Sequence, residues 1–373
     1  MQGTSGFSSN GPIGRRRFIQ GAASLGLGAA ALAACGGSDE AAEEGEEPVE
    51  PDESVTTEAA AEPETEPGVD TPAVGPTSGL IGLTLNGLND YTRGVVTGVY
   101  KAFEGTDFEV SAIQANYSAE TELSNIENFL AQGAVGVVIQ PNTAESAGAG
   151  AKAAFDQGVP VGNCIWPGPS DADEFFNGVA EIDSVEGGRI IGRYLLEQLP
   201  DGGKIVVVQG VVGQGFSERI DEGLDEVLEG SNLEIVVREQ GFFDRVGAVE
   251  VVQNAFQANP DIVAIVDYAA AMSNGICQWM EDEGIEDVLH ITSDADAEMV
   301  TWFGTPYLAA TRYYSSAQTG LIAGNAVLNA LRGEPVEFRT VIAQELVTAE
   351  NIDAVVAENP FFFDEYASET ENL

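Results

Sequence analysis

From about residue 79 onward the chain alternates short apolar runs with stretches of helical period. "LIGLTL" (80–85) reads as a strand, and a helix follows from Tyr91 to Phe103. "FEVSAIQ" (108–114), "AVGVVIQP" (134–141) and "VPVGNCIW" (159–166) are further strands, separated by helices over 119–132 and 143–157. A loop of Pro, Gly and Asp comes next, then a long helix over 185–199. "KIVVVQG" (204–210), "LEIVVREQ" (233–240), "IVAIVDY" (262–268), "VLHITSD" (288–294) and "YLAATRYY" (307–314) continue the series, with helices between most of them. The runs are nearly continuous in Val and Ile, which marks strands buried on both faces. Regular strand–helix alternation implies right-handed crossovers and parallel sheets. About ten strands crowd a single twisted sheet, so two doubly wound α/β lobes fit better. In such sheets a ligand binds beyond the carboxyl ends of the strands.

The pattern is different before residue 79. Phe18 to Ala34 is an apolar run of mostly Ala, Gly and Leu, shorter than the roughly 20 residues a spanning helix needs. Behind Arg15-Arg16-Arg17 it has the layout of an export signal. Arg15-Arg16-Arg17-Phe18-Ile19 resembles a twin-arginine motif, with Gly14 where Ser or Thr is usual. Leu32-Ala33-Ala34-Cys35 resembles a lipobox, in which cleavage precedes the Cys and its thiol carries lipid. An uncleaved anchor, or a cleaved signal with no lipid on Cys35, are the alternatives, and each still puts the remainder outside the cytoplasm. Residues 39–70 then carry 14 acidic side chains and no basic one. Such a segment repels itself and stays extended. The expected order is a signal (1–34), an acidic tether (35–78) and a folded body from residue 79.

Charge narrows the partners. The chain has 61 acidic and 15 basic residues, and 47 against 12 remain once the tether's acids and the signal's arginines are set aside. Nucleic acid and anionic headgroups would be repelled by such a body. Lys101, Lys152 and Lys204 are the only lysines. An acid-rich, lysine-poor surface suits concentrated salt, so the melting temperature is expected to rise steeply from low to molar salt; a flat response removes that reading. Cys164 and Cys277 sit in separate elements, read as buried free thiols rather than a disulfide framework. The single histidine, His290, lies in an apolar strand and reads as a core residue, which leaves little room for histidine triads or zinc sites. No metal and no cofactor is expected.

The order and spacing of the body resemble the type I periplasmic binding proteins of the ribose-binding kind, over nearly all of 79–355. "NIENFLAQGAVGVVIQP", "IDSVEGGRIIGRYLLEQL", "GFFDRVGAVEVVQNAFQANPDIVAIV", "LAATRYYSSAQTGLIAGNAVLNALRGEPV" and "ELVTAENID" carry the resemblance in register. It implies two lobes joined by three crossings near Asp183, Tyr314 and Ala343. Lobe one is expected to hold 79–182 and 315–343, lobe two 183–314 and 344–373. The ligand would sit in the cleft, and the lobes would close on it by hinge motion.

By the same resemblance the ligand would be met by Asn89, Tyr91 and Gln140 in the first lobe and by Phe243, Asp294 and Arg219 in the second. Asp90 and Thr92 replace a Pro and a second aromatic. Ile165 and Trp166 stand where the ribose-type members have a charged Asp-Arg pair. Ala269-Ala270 replaces Asn-Asp, and Tyr314 replaces a hinge Gln. Arg219 lies one residue further from Gly223 than usual, so a slip in register disqualifies it. Asp183 either faces the ligand or caps the helix opening at Val185. Trp166 either walls the cleft or packs in the core. The losses run from charged and amide groups toward apolar and aromatic ones. Such a site expects a ligand with fewer hydroxyls, or one with a flat face, because a hydrogen-bonding site rejects ligands lacking the group it is built for.

One motif points elsewhere. "KIVVVQGVVGQGFSER" runs a strand into a Gly-rich turn and a helix, as in phosphate sites. Gly210, Gly213 and Gly215 give GxxGxG, though, rather than the dinucleotide GxGxxG. The expectation is therefore a monomeric, non-catalytic binding protein. It would be anchored by lipid at Cys35 to the outer face of the cytoplasmic membrane, or lie in the periplasm. It would deliver a sugar-like solute to an ABC permease. A sensory component, or a protein binding a non-sugar solute such as a nucleoside, remain the alternatives.

Overall fold

The computed structural model describes residues 75–165, 170–371 and 373. The export-signal, lipidation and tether assignments before residue 75, and Trp166, lie outside the described residues.

The first half of the body builds β1 (Ser78–Leu85), α1 (Asp90–Ala102), β2 (Asp107–Gln114), α2 (Ala119–Ala131), β3 (Gly136–Ile139), α3 (Ala144–Phe155), β4 (Val161–Ile165) and β5 (Gly178–Glu181). The second half begins with α4 (Ser184–Gln198), β6 (Gly203–Gln209), α5 (Phe216–Leu228), β7 (Leu233–Gln240) and α6 (Arg245–Ala258). It continues through β8 (Ile262–Asp267), α7 (Ala270–Glu283), β9 (Leu289–Ser293), the one-turn α8 (Ala297–Val300) and β10 (Ala310–Tyr313). The chain ends with α9 (Ser316–Arg332), β11 (Arg339–Val341), β12 (Glu345–Thr348), α10 (Ile352–Glu358) and a 3-10 segment, Asp364–Thr370.

Two six-stranded sheets result, ordered β11-β5-β4-β3-β1-β2 and β12-β10-β9-β8-β6-β7. Every neighbouring pair is parallel except β10–β12, an antiparallel edge. This is the two-lobed, doubly wound α/β architecture. Strand centres such as Ile81, Leu83, Val137, Val138, Val206, Val207, Ile265 and Val266 are wholly buried, as residues covered by helices on both faces must be. Side-chain caps start the helices: Asn89, Ser118, Thr143, Asp244 and Ser315 each accept a backbone N–H from the first turn. Helices α1 and α9 approach until a Cβ on Gly98 would lie 2.0 Å from the Ala317 carbonyl oxygen, and one on Gly320 2.0 Å from that of Val95. Helices α4 and α5 do the same in the second lobe, through Gly188 against Ile220 and Gly223 against Val185.

The chain passes between sheets after β5, after β10 and between β11 and β12. Asp183, Tyr314 and Ala343 sit in these passages. The stretch 344–373 touches both lobes. Helix α10 packs with Val347 and Met299 in the second lobe. The tail then returns to α1, where Phe363 N–H donates to Thr97 Oγ1 (3.0 Å) and Glu365 pairs with Lys101 (3.0 Å). On its way it lies along the second passage. Tyr313 Oη donates to the Asn359 carbonyl, Ser315 Oγ to Pro360 and Ser316 Oγ to Phe361. Hydroxyls at the end of β10 and the start of α9 thus satisfy three successive, partly buried carbonyls of the tail.

Candidate functional site

The strand ends of both sheets converge on one cavity. Its first-lobe wall comes from the β1–α1 loop (Asn86, Asn89, Tyr91), from Tyr117 after β2, and from Gln140 and Ile165 at the ends of β3 and β4. The second lobe contributes Gln214 and Phe216 before and at the start of α5, Phe243 after β7, Tyr268 to Ala271 after β8, and Asp294 to Asp296 after β9. Tyr314 closes it at the passage between lobes.

Backbone strain marks the same place. Among the described residues, non-glycine positive φ occurs at Asn116, Tyr117, Ile165, Phe242, Phe243 and Asp294. Tyr117, Ile165, Phe243 and Asp294 line the cavity. Side chains other than glycine resist this conformation, and folds retain it where it aims a group at a ligand. The two lobes use one device twice. Tyr117 (φ 59°) follows β2 and Phe243 (φ 55°) follows β7, the matching edge strands. Each ring faces a glycine of the neighbouring loop: a Cβ would lie 2.3 Å from Tyr117 at Gly87 and 2.0 Å from Phe243 at Gly210.

The polar groups are arranged around these rings. Asn89 caps α1, accepting from Thr92 N–H (2.9 Å) while its Nδ2 reaches Tyr117 Oη (3.3 Å). Tyr91 packs edge-on against Tyr314 with ring centroids 5.8 Å apart. Gln140 is buried, and its Oε1 has no hydrogen-bond partner among the described residues. Asp294 accepts from Ala270 N–H at 2.7 Å. Burial raises its pKa well above the carboxylate range; the Ala270 N–H opposes this, and the charges of Asp296 and Asp267 add to the rise. Asp296 caps α8 through Met299 N–H (2.7 Å) and accepts from Asn274 Nδ2 (3.0 Å). Tyr268 Oη donates to Asp221 (2.5 Å), which also accepts from Gln209.

Of the residues expected at the ligand, Asn89, Tyr91, Gln140, Phe243, Asp294 and Tyr314 thus share one wall. Two do not join it. Asp183 caps α4, accepting from Glu186 N–H at 3.0 Å, and its carbonyl accepts from Gln344 Nε2 at 2.9 Å in a separate groove at the passage between lobes. Arg219 is half-buried one turn inside α5 and outside the wall, because the Gly-rich turn presents Phe216 instead. Tyr117, Tyr268, Gln214 and Asp296 were not anticipated. A signal for Tyr117 existed: strands β2 and β7 both end in Gln and are followed within a few residues by an aromatic. Among the described residues no group of His, Cys, Asp and Glu is placed to hold a metal.

The family profile described as "Periplasmic binding protein domain" matches residues 81–335. The chain belongs to that family, and the protein is an extracytoplasmic solute-binding protein of its type I fold. Curated relatives include the ribose import binding protein of Escherichia coli, 23% identical over 73% of this chain and 90% of that protein. A xylitol-binding protein of Mycolicibacterium smegmatis is 24% identical over 76% of this chain and 82% of its own. Among solved structures, an ABC transporter solute-binding protein from Bacillus halodurans with bound myo-inositol superposes with a TM-score of 0.70. It is 21% identical and covers 76% of this chain and 99% of its own.

Proposed function

We propose that the cleft captures a neutral sugar or cyclic or linear polyol outside the cytoplasm and delivers it to an ABC permease, without catalysis. The observation that carries this reading is the convergence of strained strand-end residues from both lobes on one cavity holding aromatic rings, a buried carboxyl group and an amide oxygen with no partner among the described residues. Rings pack on the C–H faces of a sugar, and the amide and carboxyl groups bind hydroxyls, which both donate and accept. Ribose, xylitol and myo-inositol, the compounds named for the relatives above, share that chemistry. In this reading Asn89, Tyr91, Gln140, Phe243, Asp294 and Tyr314 bind the ligand, and lipid on Cys35 holds the protein at the membrane. The lobes are 79–182 with 315–343 and 183–314 with the stretch from 344 through α10; they close by moving at the three passages.

A thermal-shift screen of the chain in molar salt tests this. Aldoses, pentitols, inositols, nucleosides and amino acids form the panel. A sugar or polyol at one hundred times its dissociation constant should stabilise the protein by about 2.7 kcal/mol. A response only to nucleosides or amino acids would overturn the ligand class and leave the binding role.

A further inference from the structure

Arg312 has no role in the account above. It sits in β10, two residues before Tyr314, and its side chain is wholly buried. Among the described residues, every other lysine and arginine except Arg219 and Arg332 makes an ion pair; of these three, only Arg312 is buried. Its Nε, Nη1 and Nη2 have no hydrogen-bond partner among the described residues. The Tyr314 hydroxyl interacts with it electrostatically, short of a directed hydrogen bond. Two aromatic rings stand closest to the guanidinium, and the Asp294 carboxyl group acts on it electrostatically from the neighbouring strand end. The guanidinium centre lies 4.6 Å from the Tyr314 ring and 5.8 Å from the Phe216 ring, and both rings belong to the cavity wall. Gly187 makes the space, since a Cβ there would lie 2.2 Å from Nη2.

A buried guanidinium without acceptors is costly, and ring faces offset only part of that cost. Arg312 does not itself line the cavity; it lies directly behind the Tyr314 and Phe216 rings that do, so an acceptor from the cavity would reach it by passing between those rings. The adjacent strand end holds the complementary group: Asp294 N–H donates to the Arg312 carbonyl at 2.9 Å, so the two side chains start from paired backbone positions. We propose that Arg312 is the ligand-gripping guanidinium of the second lobe, and that with Asp294 it holds a pair of neighbouring hydroxyls on the ligand. This rests on the sugar or polyol reading. A carboxyl group accepts from one hydroxyl while the forked guanidinium donates to both oxygens. Three carboxyl groups in the wall, Asp90, Asp294 and Asp296, disfavour an acidic sugar in the same place.

The test compares the chain with its Arg312→Met and Arg312→Lys variants by calorimetric titration and thermal melting, using D-ribose, 2-deoxy-D-ribose, xylitol and myo-inositol. Whichever polyhydroxyl compound binds the unmodified chain should bind Arg312→Met about thirtyfold more weakly or worse. Arg312→Lys should fall between them. Ligand-free Arg312→Met should melt at or above the unmodified chain, because an uncompensated buried charge has been removed. Any preference for D-ribose over its 2-deoxy analogue should collapse in both variants. Equal affinity and a lower melting temperature in Arg312→Met would overturn the assignment and make Arg312 a packing residue. If Arg312→Met fails to fold, Arg312→Lys decides: undiminished affinity and discrimination overturn the proposal, and loss of both supports it. No response of the unmodified chain to any of the four compounds would sink the sugar reading and this assignment together, whereas an unaffected variant sinks the assignment alone.

Discussion

The two lobes share a strand order and pack their leading helices through glycines in the same way, yet they bury different chemistry. In the first, Glu122 is the one buried charged side chain among the described residues, held by Asn142 through its backbone and side-chain amides. The second buries Asp221, Asp267, His290, Asp294, Asp296 and Arg312. The cavity wall follows this contrast in part: the first lobe contributes mainly amides and hydroxyls with the carboxylate of Asp90, and the second contributes the buried carboxyl groups of Asp294 and Asp296. One fold accommodates both because strand ends, where the cavity wall lies, are free to vary while the sheets behind them are not.

The largest expected effect comes from breaking the second lobe's internal pair. His290 Nε2 lies 2.8 Å from Asp267, which also accepts from Thr292 Oγ1, and both members are fully buried. Asp267→Asn should cost about 3–5 kcal/mol in denaturant unfolding. Burial would lower the His290 pKa, but the neighbouring Cys277 sulfur and the Asp267 carboxylate overcome this and raise it to about 10. A raised folded pKa means that the stabilisation is complete below about pH 6.5, the unfolded value, and is lost as pH climbs toward 10. Unfolding free energy should fall across that window in the unmodified chain and flatten in Asp267→Asn.

Glycine replacements test the likeness of the lobes. Gly98→Ala and Gly188→Ala each push a methyl to 2.0 Å from a carbonyl oxygen of the facing helix. Each should cost about 1–3 kcal/mol, and by similar amounts. A large cost in one lobe alone would show that only that lobe depends on close helix approach. Glu122→Gln should cost less than Asp267→Asn, because burial already favours its neutral form. Equal losses would contradict the contrast in buried charge. The smallest effects concern the paired rings. Tyr117→Ala and Phe243→Ala should each weaken ligand binding about tenfold by titration while leaving the melting temperature nearly unchanged, as expected for rings worth about 1 kcal/mol or more.

The long strands and helices were legible because runs such as "KIVVVQG" have only one way to be covered on both faces. Strands β5, β11 and β12 were not, since runs of three or four residues carry too little pattern, and β11 and β12 also lie at sheet edges, which need no apolar run. In the site, Asn89, Gln140 and Asp294 could be read because each ends a recognisable strand or opens a helix. Asp183 was ambiguous between cap and ligand contact, two uses of one carboxylate that only position separates. Arg219 lies outside the cavity wall, and the extra residue between it and Gly223 had already left its register open. Arg312 escaped notice because an arginine inside "LAATRYY" looks like an exposed strand position until its neighbours are known.

The tail has a mechanical consequence. Three successive carbonyls, those of Asn359, Pro360 and Phe361, are gripped by hydroxyls lining the second passage between the lobes. A fourth length of chain is thereby laced to one of the three that already cross. Three loose threads would let the jaws swivel about each other as well as shut. If the lobes shut on a ligand as proposed, a fourth thread laced along one of them would resist the swivel more than the shutting, as two pins turn a pivot into a door. A site whose rings and polar groups are divided between two jaws needs them to meet in the same alignment every time.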